Sequence, residues 1–382
     1  NITIRKNRIT AASTQIDVKT AKAALFPSLS FSTSQQVVNR PYQETSSRVS
    51  GSEIISSNSK TSYNGNYGLN ASWTLYNGNK RLKTIQQEKL NNQVAELDVA
   101  TSENNIQESI AQVYIQILYA AESVKVNEST LQVSIAQRDR GQELLNAGSI
   151  AKSDFAQLEA QVSTDRYQLV TAQATLEDYK LQLKQLLELD GENEMNIYLP
   201  ALSDENVLAP LPTKKDVYIR ALSLRPEIEA SKLNVEASEL GIGIAKSSYL
   251  PTISLSAGIG TNHTSGSDFT FGEQVKNGWN NSIGLSVSVP IFNNRQTKSA
   301  VQKAKLQYET SMLSLLDEQK TLYKTIEGLW LDANSAQQRY AAANEKLKST
   351  QISYELISEQ FNLGMKNTIE LLTEKNNLLQ AQ

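Results

Sequence analysis

The chain has 382 residues, no cysteine, one histidine and a net charge of −3 from 37 basic and 40 acidic residues. Without cysteine it has no disulfide framework, thiolate metal site or thiol nucleophile. It has no basic cluster of the kind that follows phosphates, so nucleic acid is not expected as a partner. The sequence has no run of about 18 apolar residues, so no membrane-spanning helix is predicted. Strands that cross a membrane, however, need only alternate residues to be apolar.

The first part of the chain is predicted to be a helix followed by a strand. Residues 1–24 form a polar amphipathic pattern in which Ile2, Ile9 and Ile16 recur every seven residues. Residues 21–32 then read Ala-Lys-Ala-Ala-Leu-Phe-Pro-Ser-Leu-Ser-Phe-Ser, so a proline precedes alternating apolar and hydroxyl residues. Residues 245–256, Ala-Lys-Ser-Ser-Tyr-Leu-Pro-Thr-Ile-Ser-Leu-Ser, share this pattern at an offset of 251 − 27 = 224. Each alternation indicates a strand with two unlike faces.

A second kind of strand also occurs twice. Residues 68–76 read Gly-Leu-Asn-Ala-Ser-Trp-Thr-Leu-Tyr and residues 284–292 read Gly-Leu-Ser-Val-Ser-Val-Pro-Ile-Phe, an offset of 284 − 68 = 216. In both, large apolar side chains alternate with hydroxyl or amide side chains. Pro290 cannot donate to a ladder, so it is expected at the junction between the strand and the following helix.

The offsets predict one structural unit that is duplicated along the chain. Residues 1–190 form the first repeat, with an external loop at 35–62 and a turn near Gly148. Residues 191–215 form an irregular linker that contains three prolines, and residues 216–382 form the second repeat, with an external loop at 260–281 and a turn near Gly364. The two glycines repeat at the offset of the second strands, since 364 − 148 = 216. The loops are rich in Ser, Asn, Gly and Thr and are predicted to be irregular.

Long helical tracts follow each second strand. No Gly or Pro interrupts residues 79–140, and apolar residues in this tract and in residues 149–190 recur at steps of three and four, with Asp165 the one polar interruption of the second tract. Steps that sum to seven indicate helices packed along one another as coiled coils. At 1.5 Å per residue, about 60 residues span roughly 90 Å, longer than a globular domain requires.

The four strands of one chain cannot close a barrel, and lipid does not accept open sheet edges. Two chains would supply eight strands and three would supply twelve, and cyclic symmetry is the usual way to close such a ring. The hydroxyl face suits a wet lumen and the apolar face suits lipid. Aromatic residues near the strand ends fit interfacial girdles as well as they fit soluble sheets: Phe26, Tyr67, Tyr76, Tyr249 and Phe292.

These strand–helix transitions, the Leu224-Arg225-Pro226-Glu227-Ile228 start of a helix and the Phe361-Asn362-Leu363-Gly364 turn together resemble the TolC family of outer-membrane efflux ducts. The resemblance covers essentially the whole chain, in order and twice over. It implies an α+β membrane protein, a homotrimer with a twelve-stranded β-barrel in the outer membrane of a Gram-negative bacterium. An antiparallel coiled-coil α-helical barrel would continue it across the periplasm. It also implies that the chain lacks part of its first and last helices.

The resemblance further implies an exit duct of a tripartite efflux or type I secretion system, which binds a periplasmic adaptor and receives substrate from an inner-membrane transporter. Drugs, siderophores, metal ions and polypeptides all remain possible substrates. By comparison with the family, the turns farthest from the strands dock the adaptor through six residues: Ala147, Gly148, Ser149, Leu363, Gly364 and Met365. Gly148 and Gly364 are independently expected to be left-handed helix C-caps.

A gate beside these turns is also implied by the resemblance. Three copies of Glu370 would form a carboxylate ring that attracts cations, while Thr373 replaces the family's second acidic residue. Lys366 matches a basic residue that ties the closed turn to a hydroxyl, here Ser153. Asp154 matches an acidic residue whose tyrosine partner is Phe361 here, so that hydrogen bond cannot form.

Two other classes of protein are weighed against the duct. A soluble trimeric coiled-coil stalk with a β-rich head explains the heptads equally well, but not two duplicated strands with apolar faces. An enzyme is not expected, because the sequence has no phosphate loop, nucleophile elbow or metal-ligand spacing, and no cofactor is predicted. His263 lies in a Gly/Ser/Thr-rich segment and is expected to be a solvated loop residue.

Overall fold

The computed structural model describes residues 1–42, 46–50, 53–57, 60–189, 197–198, 207–267 and 269–382. Eight helices and six strands lie within these residues, in the order α1 (Ile2–Ala23), β1 (Ser28–Asn39), β2 (Ser46–Ser50), β3 (Glu53–Ser57), β4 (Thr61–Asn77), α2 (Lys80–Asn146), α3 (Lys152–Leu187), α4 (Lys214–Leu224), α5 (Pro226–Ser247), β5 (Thr252–Thr264), α6 (Phe271–Asn277), β6 (Asn280–Ser288), α7 (Gln296–Asn362) and α8 (Thr368–Ala381). No helix among the described residues is both long and apolar enough to cross a bilayer.

The elements form two compact units, each drawn from both halves of the sequence. The strand unit consists of Arg8–Leu97 and Glu227–Asp317, and the turn unit of Asn1–Asn7, Asp98–Pro226 and Glu318–Gln382. Helices α2 and α7 contribute to both units, and each has 67 residues. Their bounds share one offset, since 296 − 80 = 216 and 362 − 146 = 216. This is the offset at which the second strands repeat in the sequence.

The strand unit contains an antiparallel four-stranded sheet in the order β1-β4-β5-β6. Its register aligns apolar residues across the strands, for example Leu69 of β4 with Phe31 of β1 and Ile259 of β5. Side chains alternate between faces along a strand, so one face carries the large apolar residues: Leu29, Phe31, Leu69, Ala71, Trp73, Leu255, Ala257, Ile259, Ile283, Leu285 and Val287. The opposite face carries small polar side chains: Ser28, Ser30, Ser32, Asn70, Ser72, Ser254, Ser256, Ser282 and Ser286. The predicted two-faced strands are confirmed.

The strand boundaries differ from the sequence interpretation. Strand β4 begins at Thr61, well before residue 68, because its polar outer half pairs with β1 as far as Asn39. A β-bulge lies between Thr74 and Tyr76, so Leu75 is an extra residue and does not continue the apolar face. Strand β6 runs from Asn280 to Ser288 and ends before Pro290.

The two strand–helix junctions have the same backbone conformation. Gly78 and Asn79 precede α2 with φ of 66° and 62°, and Asn294 and Arg295 precede α7 with φ of 51° and 65°. The two pairs share the offset of the helices, since 294 − 78 = 216. Two consecutive left-handed residues turn the chain sharply, so these pairs redirect each strand into its helix. Pro290 lies between β6 and this turn.

The external loops contain more regular structure than predicted. Within the loop predicted at 35–62, β2 and β3 form an antiparallel hairpin. Within the loop predicted at 260–281, β5 continues to Thr264 and α6 follows. His263 is therefore a strand residue, and its ring stacks on Tyr67 at 5.9 Å. The expectation of a solvated loop histidine is wrong, because polar loop composition does not reveal pairing that extends beyond an apolar strand core.

In the turn unit, residues 207–213 of the linker pack on α7. Residues 207–213 contain no helix or strand. Gln337 donates to the carbonyl oxygens of Val207 (2.9 Å) and Ala209 (2.8 Å), and Trp330 Nε1 donates to Pro212 O at 3.1 Å. Helix α4 then begins at Lys214, whose ammonium lies 2.9 Å from Glu327. The residues from 190 to 206 other than 197–198 lie outside the described part.

Candidate functional site

The two turns that connect α2 to α3 and α7 to α8 have the same hydrogen-bonded geometry. Gly148 has φ of 72° and Gly364 has φ of 74°. Gly148 N donates to Leu145 O, and the next amide bonds Leu144 O at 2.8 Å. At the other turn, Gly364 N donates to Phe361 O, and the next amide bonds Gln360 O at 2.8 Å. Both are Schellman motifs, so the predicted left-handed C-caps are confirmed.

All six residues predicted to dock a partner lie exposed at these turns. Leu363 and Met365 are 74% and 70% exposed, and Ala147, Gly148, Ser149 and Gly364 are also exposed. A side chain added at either glycine would meet nothing within 4 Å. The backbone amide after each glycine donates a hydrogen bond within the turn. The side chains of the turn therefore remain as the groups that another protein could contact. An exposed leucine and methionine beside an open backbone suit apolar contact with a helix.

The predicted gate residue Glu370 sits at the first turn of α8 and already has partners in its own chain. Asn367 caps the helix by accepting from Glu370 N at 2.9 Å, and Glu370 Oε2 accepts from Asn367 N at 3.2 Å. Lys366 Nζ lies 2.5 Å from Glu370 Oε1. The hydrogen bond from Lys366, followed by that from the Asn367 amide, lowers the pKa of the Glu370 carboxyl below its usual value. The carboxylate therefore carries its negative charge, and the neighbouring Lys366 ammonium balances that charge.

The link between Lys366 and Ser153 that the resemblance implies stays a prediction. Among the described residues of one chain, Lys366 bonds Glu370 and no hydrogen bond joins it to Ser153, which is exposed. Lys366 directly precedes the N-cap of α8 and Glu370 lies in the first turn of that helix, so the two charged groups meet without any neighbouring helix. Asp154 instead caps its own helix, since its Oδ2 accepts from Ala151 N at 3.3 Å.

The other two predicted gate residues have opposite environments. Phe361 is 3% exposed and belongs to the core of the turn unit. It offers no hydroxyl to Asp154, as predicted. Thr373 is exposed and its hydroxyl bonds the carbonyl of Ile369 at 2.7 Å. Neither side chain adds a charge to the site.

A buried ionic cluster in the turn unit was missed by sequence reasoning. Lys375 of α8 donates to Asp165 of α3 and to Ser134 of α2, and Ser134 also donates to Asp165. Gln161 Nε2 bonds the other Asp165 oxygen at 2.8 Å. Burial lowers the pKa of the Lys375 ammonium, while the hydrogen bond to Asp165 opposes that shift. The cluster joins three helices through groups that water does not reach.

The sequence does contain a signal for this cluster. Asp165 interrupts an apolar stripe in which Leu158 and Val162 are buried, and Lys375 falls four residues after Leu371 in the buried stripe of α8. A charged residue at a core position needs a partner of opposite charge. Two such positions of opposite sign predict a pair, although 210 residues separate them. No group of three His, Asp or Glu residues in the described part of the chain is arranged to hold a metal ion.

A profile of the family described as "Outer membrane efflux protein" matches residues 1–188 and 217–382. The chain belongs to the outer membrane efflux protein family. The outer membrane efflux protein BepC of Brucella suis biovar 1 (strain 1330) is 24% identical to the chain over 282 residues, which cover 73% of the chain and 59% of BepC. The outer membrane protein TolC of Escherichia coli (strain K12) is 22% identical over 298 residues, 76% of the chain and 59% of TolC. The chain therefore spans about 59% of the length of these relatives.

Solved structures of outer-membrane channels share the fold of this family member. The structure of CusC superimposes with a TM-score of 0.82 at 19% identity and covers 100% of the chain and 84% of CusC. The outer membrane protein VceC from Vibrio cholerae gives a TM-score of 0.79 at 16% identity, covering 98% of the chain and 86% of VceC. The predicted combination of long helices with a four-stranded antiparallel sheet is thus confirmed as the fold of this family.

Proposed function

We propose that three copies of this chain form a duct in the outer membrane of a Gram-negative bacterium, through which substrates leave the periplasm. The observation that carries the proposal is the division of the sheet into an apolar and a hydroxyl-rich face. Both faces are solvent-accessible in the single chain; for example, Ile283 is 78% exposed. An apolar sheet face of this extent needs a covering in water, and lipid on one side with water on the other accounts for both faces.

The edges of the sheet support a ring of copies. Strands β1 and β6 form its two edges, and an edge within lipid requires a hydrogen-bonding partner. Pairing β6 of one copy with β1 of the next closes the ring without any exposed edge. Three copies give 3 × 4 = 12 strands from the four-stranded sheet, and the long helices would continue this barrel into the periplasm as an α-helical barrel.

The repeated junctions and helices support an internal duplication. We assign residues 1–190 to the first copy, residues 191–215 to the linker and residues 216–382 to the second copy. The matched bounds of α2 and α7 and the matched left-handed pairs before them fit this division. A duplicated chain lets three copies present six equivalent strand–helix junctions to the membrane.

We assign adaptor docking and gating to the turns that follow α2 and α7 in the chain, whereas strands β4 and β6 precede these helices. The exposed turn residues would contact a periplasmic adaptor that links the duct to an inner-membrane transporter. Glu370 and Lys366 would line the exit from the periplasm, with Ser153, Asp154, Phe361 and Thr373 beside them. The duct itself would be passive and catalyse no reaction, so the transporter would supply the energy.

Mass measurement and conductance together test this function against a soluble trimeric stalk. The purified chain should require detergent and should migrate as a complex of three 42.2 kDa chains, which dissociates on heating. It should also open ion-conducting channels in planar bilayers. A chain that stays monodisperse without detergent and does not conduct would contradict the duct and favour the stalk.

A further inference from the structure

Helix α6 takes the place of a strand at the outer end of the sheet. The pairing of β5 with β6 ends at Gly260 and Asn280, although β5 continues to Thr264. Beyond that point, Gln274 of α6 accepts from Thr264 N at 2.8 Å. The helix is capped by Thr270 and Glu273 in a capping box. It is thus an ordered element that covers the outer part of the β5 edge.

The contacts of α6 lie on the apolar face of the sheet. Thr261 Oγ1 donates to Val275 O at 2.7 Å, and the Phe271 ring packs edge-on against His263 at 5.1 Å and Tyr67 at 6.5 Å. In the register, Tyr67 lies opposite Thr261 and is two residues from Leu69 on the same face. His263 is two residues beyond Thr261, so it shares that face too. The Phe271 ring and the Val275 carbonyl therefore rest on the apolar side, while the C-cap Gly278 lies beside Asn262 at the strand edge.

Three aromatic rings in and beside α6 remain accessible, and the exposed helix residues also include Glu273 and Lys276. Phe271 and Trp279 are each 57% exposed and Phe269 is 46% exposed. Lys276 is exposed in the last turn of the helix. Aromatic rings and basic side chains at the end of an apolar band are the composition found where a membrane protein meets lipid headgroups. We call Phe269, Phe271 and Trp279 the rim cluster.

We propose that α6 and the rim cluster form a membrane-interface anchor that lies among the lipid headgroups on the outside of the barrel and not over its mouth. Phe271 of the rim cluster packs on Tyr67 and His263, which continue the face that carries Leu69 and Ile259. The inference rests on the proposed function, because that function assigns the apolar face to lipid. It adds that this external loop binds lipid and leaves the opening of the duct clear.

Tryptophan quenching tests the anchor directly, since the chain has three tryptophans. A variant that carries Trp73→Phe and Trp330→Phe keeps only Trp279. In vesicles of phosphatidylcholine brominated near the headgroup, Trp279 fluorescence should fall at least about twofold, and more than in vesicles brominated near the chain ends, because interfacial tryptophan lies at headgroup depth. Aqueous iodide should quench it less in vesicles than in the unfolded protein. Trp279 that is quenched by iodide alone, or by neither quencher, would overturn the anchor.

Trp73 separates failure of the anchor from failure of the proposed function. It lies on the same face of β4 as Leu69, so a variant with only Trp73 should be quenched by brominated lipid wherever α6 lies. Quenching of Trp73 without quenching of Trp279 contradicts the anchor alone. Absence of both contradicts the membrane barrel as well.

A pair of phenylalanine variants provides a matched control in the protein that retains only Trp279. Phe271→Ala removes the ring that packs on His263 and Tyr67, so iodide access to Trp279 should rise. Phe292→Ala removes an exposed ring that follows β6 at its other end, and it should leave iodide access unchanged. Equal effects of the two variants would contradict the packing of α6 that the proposal requires.

Discussion

Lys375 of α8 and Asp165 of α3 form an ion pair whose side chains are 4% and 1% exposed. The pair is completed by Ser134 and Gln161, so α2, α3 and α8 each supply a donor to the Asp165 carboxylate. A buried pair adds little stability compared with apolar packing, but removal of one partner leaves an uncompensated charge. The pair therefore fixes how α3 and α8 meet more than it stabilises their contact.

Loss of one partner of this pair is expected to destabilise the turn unit strongly. Lys375→Met should cost about 3–5 kcal/mol, because Asp165 keeps its buried charge without a cation. The double variant Lys375→Met with Asp165→Leu should recover most of that loss. Thermal unfolding followed by circular dichroism in detergent measures both. Lys348→Met removes an exposed lysine paired with Glu345 and should have little effect; a similar loss from this control would contradict the prediction.

The ion pair between Lys366 and Glu370 should affect ion selectivity. Lys366→Met removes the cation that neutralises each Glu370 carboxylate, so the proposed duct should prefer cations more strongly. Lys366→Met combined with Glu370→Gln should abolish that gain, because it removes the carboxylate as well. Both variants remove the salt bridge beside the turn, so single-channel conductance should rise in both. Reversal potentials in a salt gradient across planar bilayers measure selectivity. Unchanged reversal potential and conductance in both variants would count against a gate at this position.

The same carboxylate should make the start of α8 sensitive to acid. The pKa of Glu370 is lowered in the folded chain from its ordinary value of 4.5 by Lys366 and Asn367. A group whose pKa is lower in the folded chain than in the unfolded chain stabilises the fold at pH values above its pKa in the unfolded chain. It loses that contribution as the pH falls through its pKa in the folded chain. The protection of the amides in residues 368–381 against hydrogen exchange, taken relative to the intrinsic exchange rate at each pH, should therefore fall below pH 4.5. Glu370→Gln should remove this step, and persistence of the step would assign it to another group.

The sequence predicts the faces of the strands because a period of two separates Leu285 and Val287 from Ser286 and Ser288 without knowledge of the partner strands. It predicts the turns because glycine, unlike other residues, readily adopts a left-handed φ at the end of a long helix. It does not predict the outer half of β4, where residues 62–64 show no apolar alternation and pairing depends on backbone hydrogen bonds to β1. The same holds for α6, since its seven residues are too few for a helical period to emerge.

In the candidate site too, the sequence predicts some features and not others. Positions along the chain, such as Gly364 and Glu370, can be read from local pattern and resemblance. A charge at a core position predicts that a partner of opposite charge exists, but the contact itself depends on which helices pack together. Lys366 is four residues from Glu370 and forms a local pair, whereas the resemblance assigned it to a hydroxyl on another turn. Asp165 and Lys375 show the opposite case, in which two local anomalies are explained only by their contact.

The left-handed turn at Gly364 gives a prediction that isolates backbone strain. Gly364→Ala should destabilise the turn by roughly 1–2 kcal/mol, because the added Cβ is disfavoured at φ of 74° although nothing lies within 4 Å of it. Gly328→Ala is the matched control, since nothing lies within 4 Å of that position either and it lies inside α7. There alanine should stabilise by about 1 kcal/mol. Thermal unfolding compares the two, and shifts of the same sign would contradict the role of backbone conformation.

The close approach of His263 to Gly65 gives a prediction for the outer end of the sheet. A Cβ at Gly65 would overlap the imidazole ring, which lies between Tyr67 and Phe271. Gly65→Ala should therefore displace the ring and loosen α6. The chain has one histidine, so its imidazole proton signals in an NMR spectrum are unambiguous, and they should lose the shift caused by the two aromatic rings. Gly68→Ala on the same strand would place its Cβ no closer than 3.4 Å to a neighbour. It should leave the signals in place, and a displaced signal in this control would show that any added methyl group on β4 disturbs the sheet.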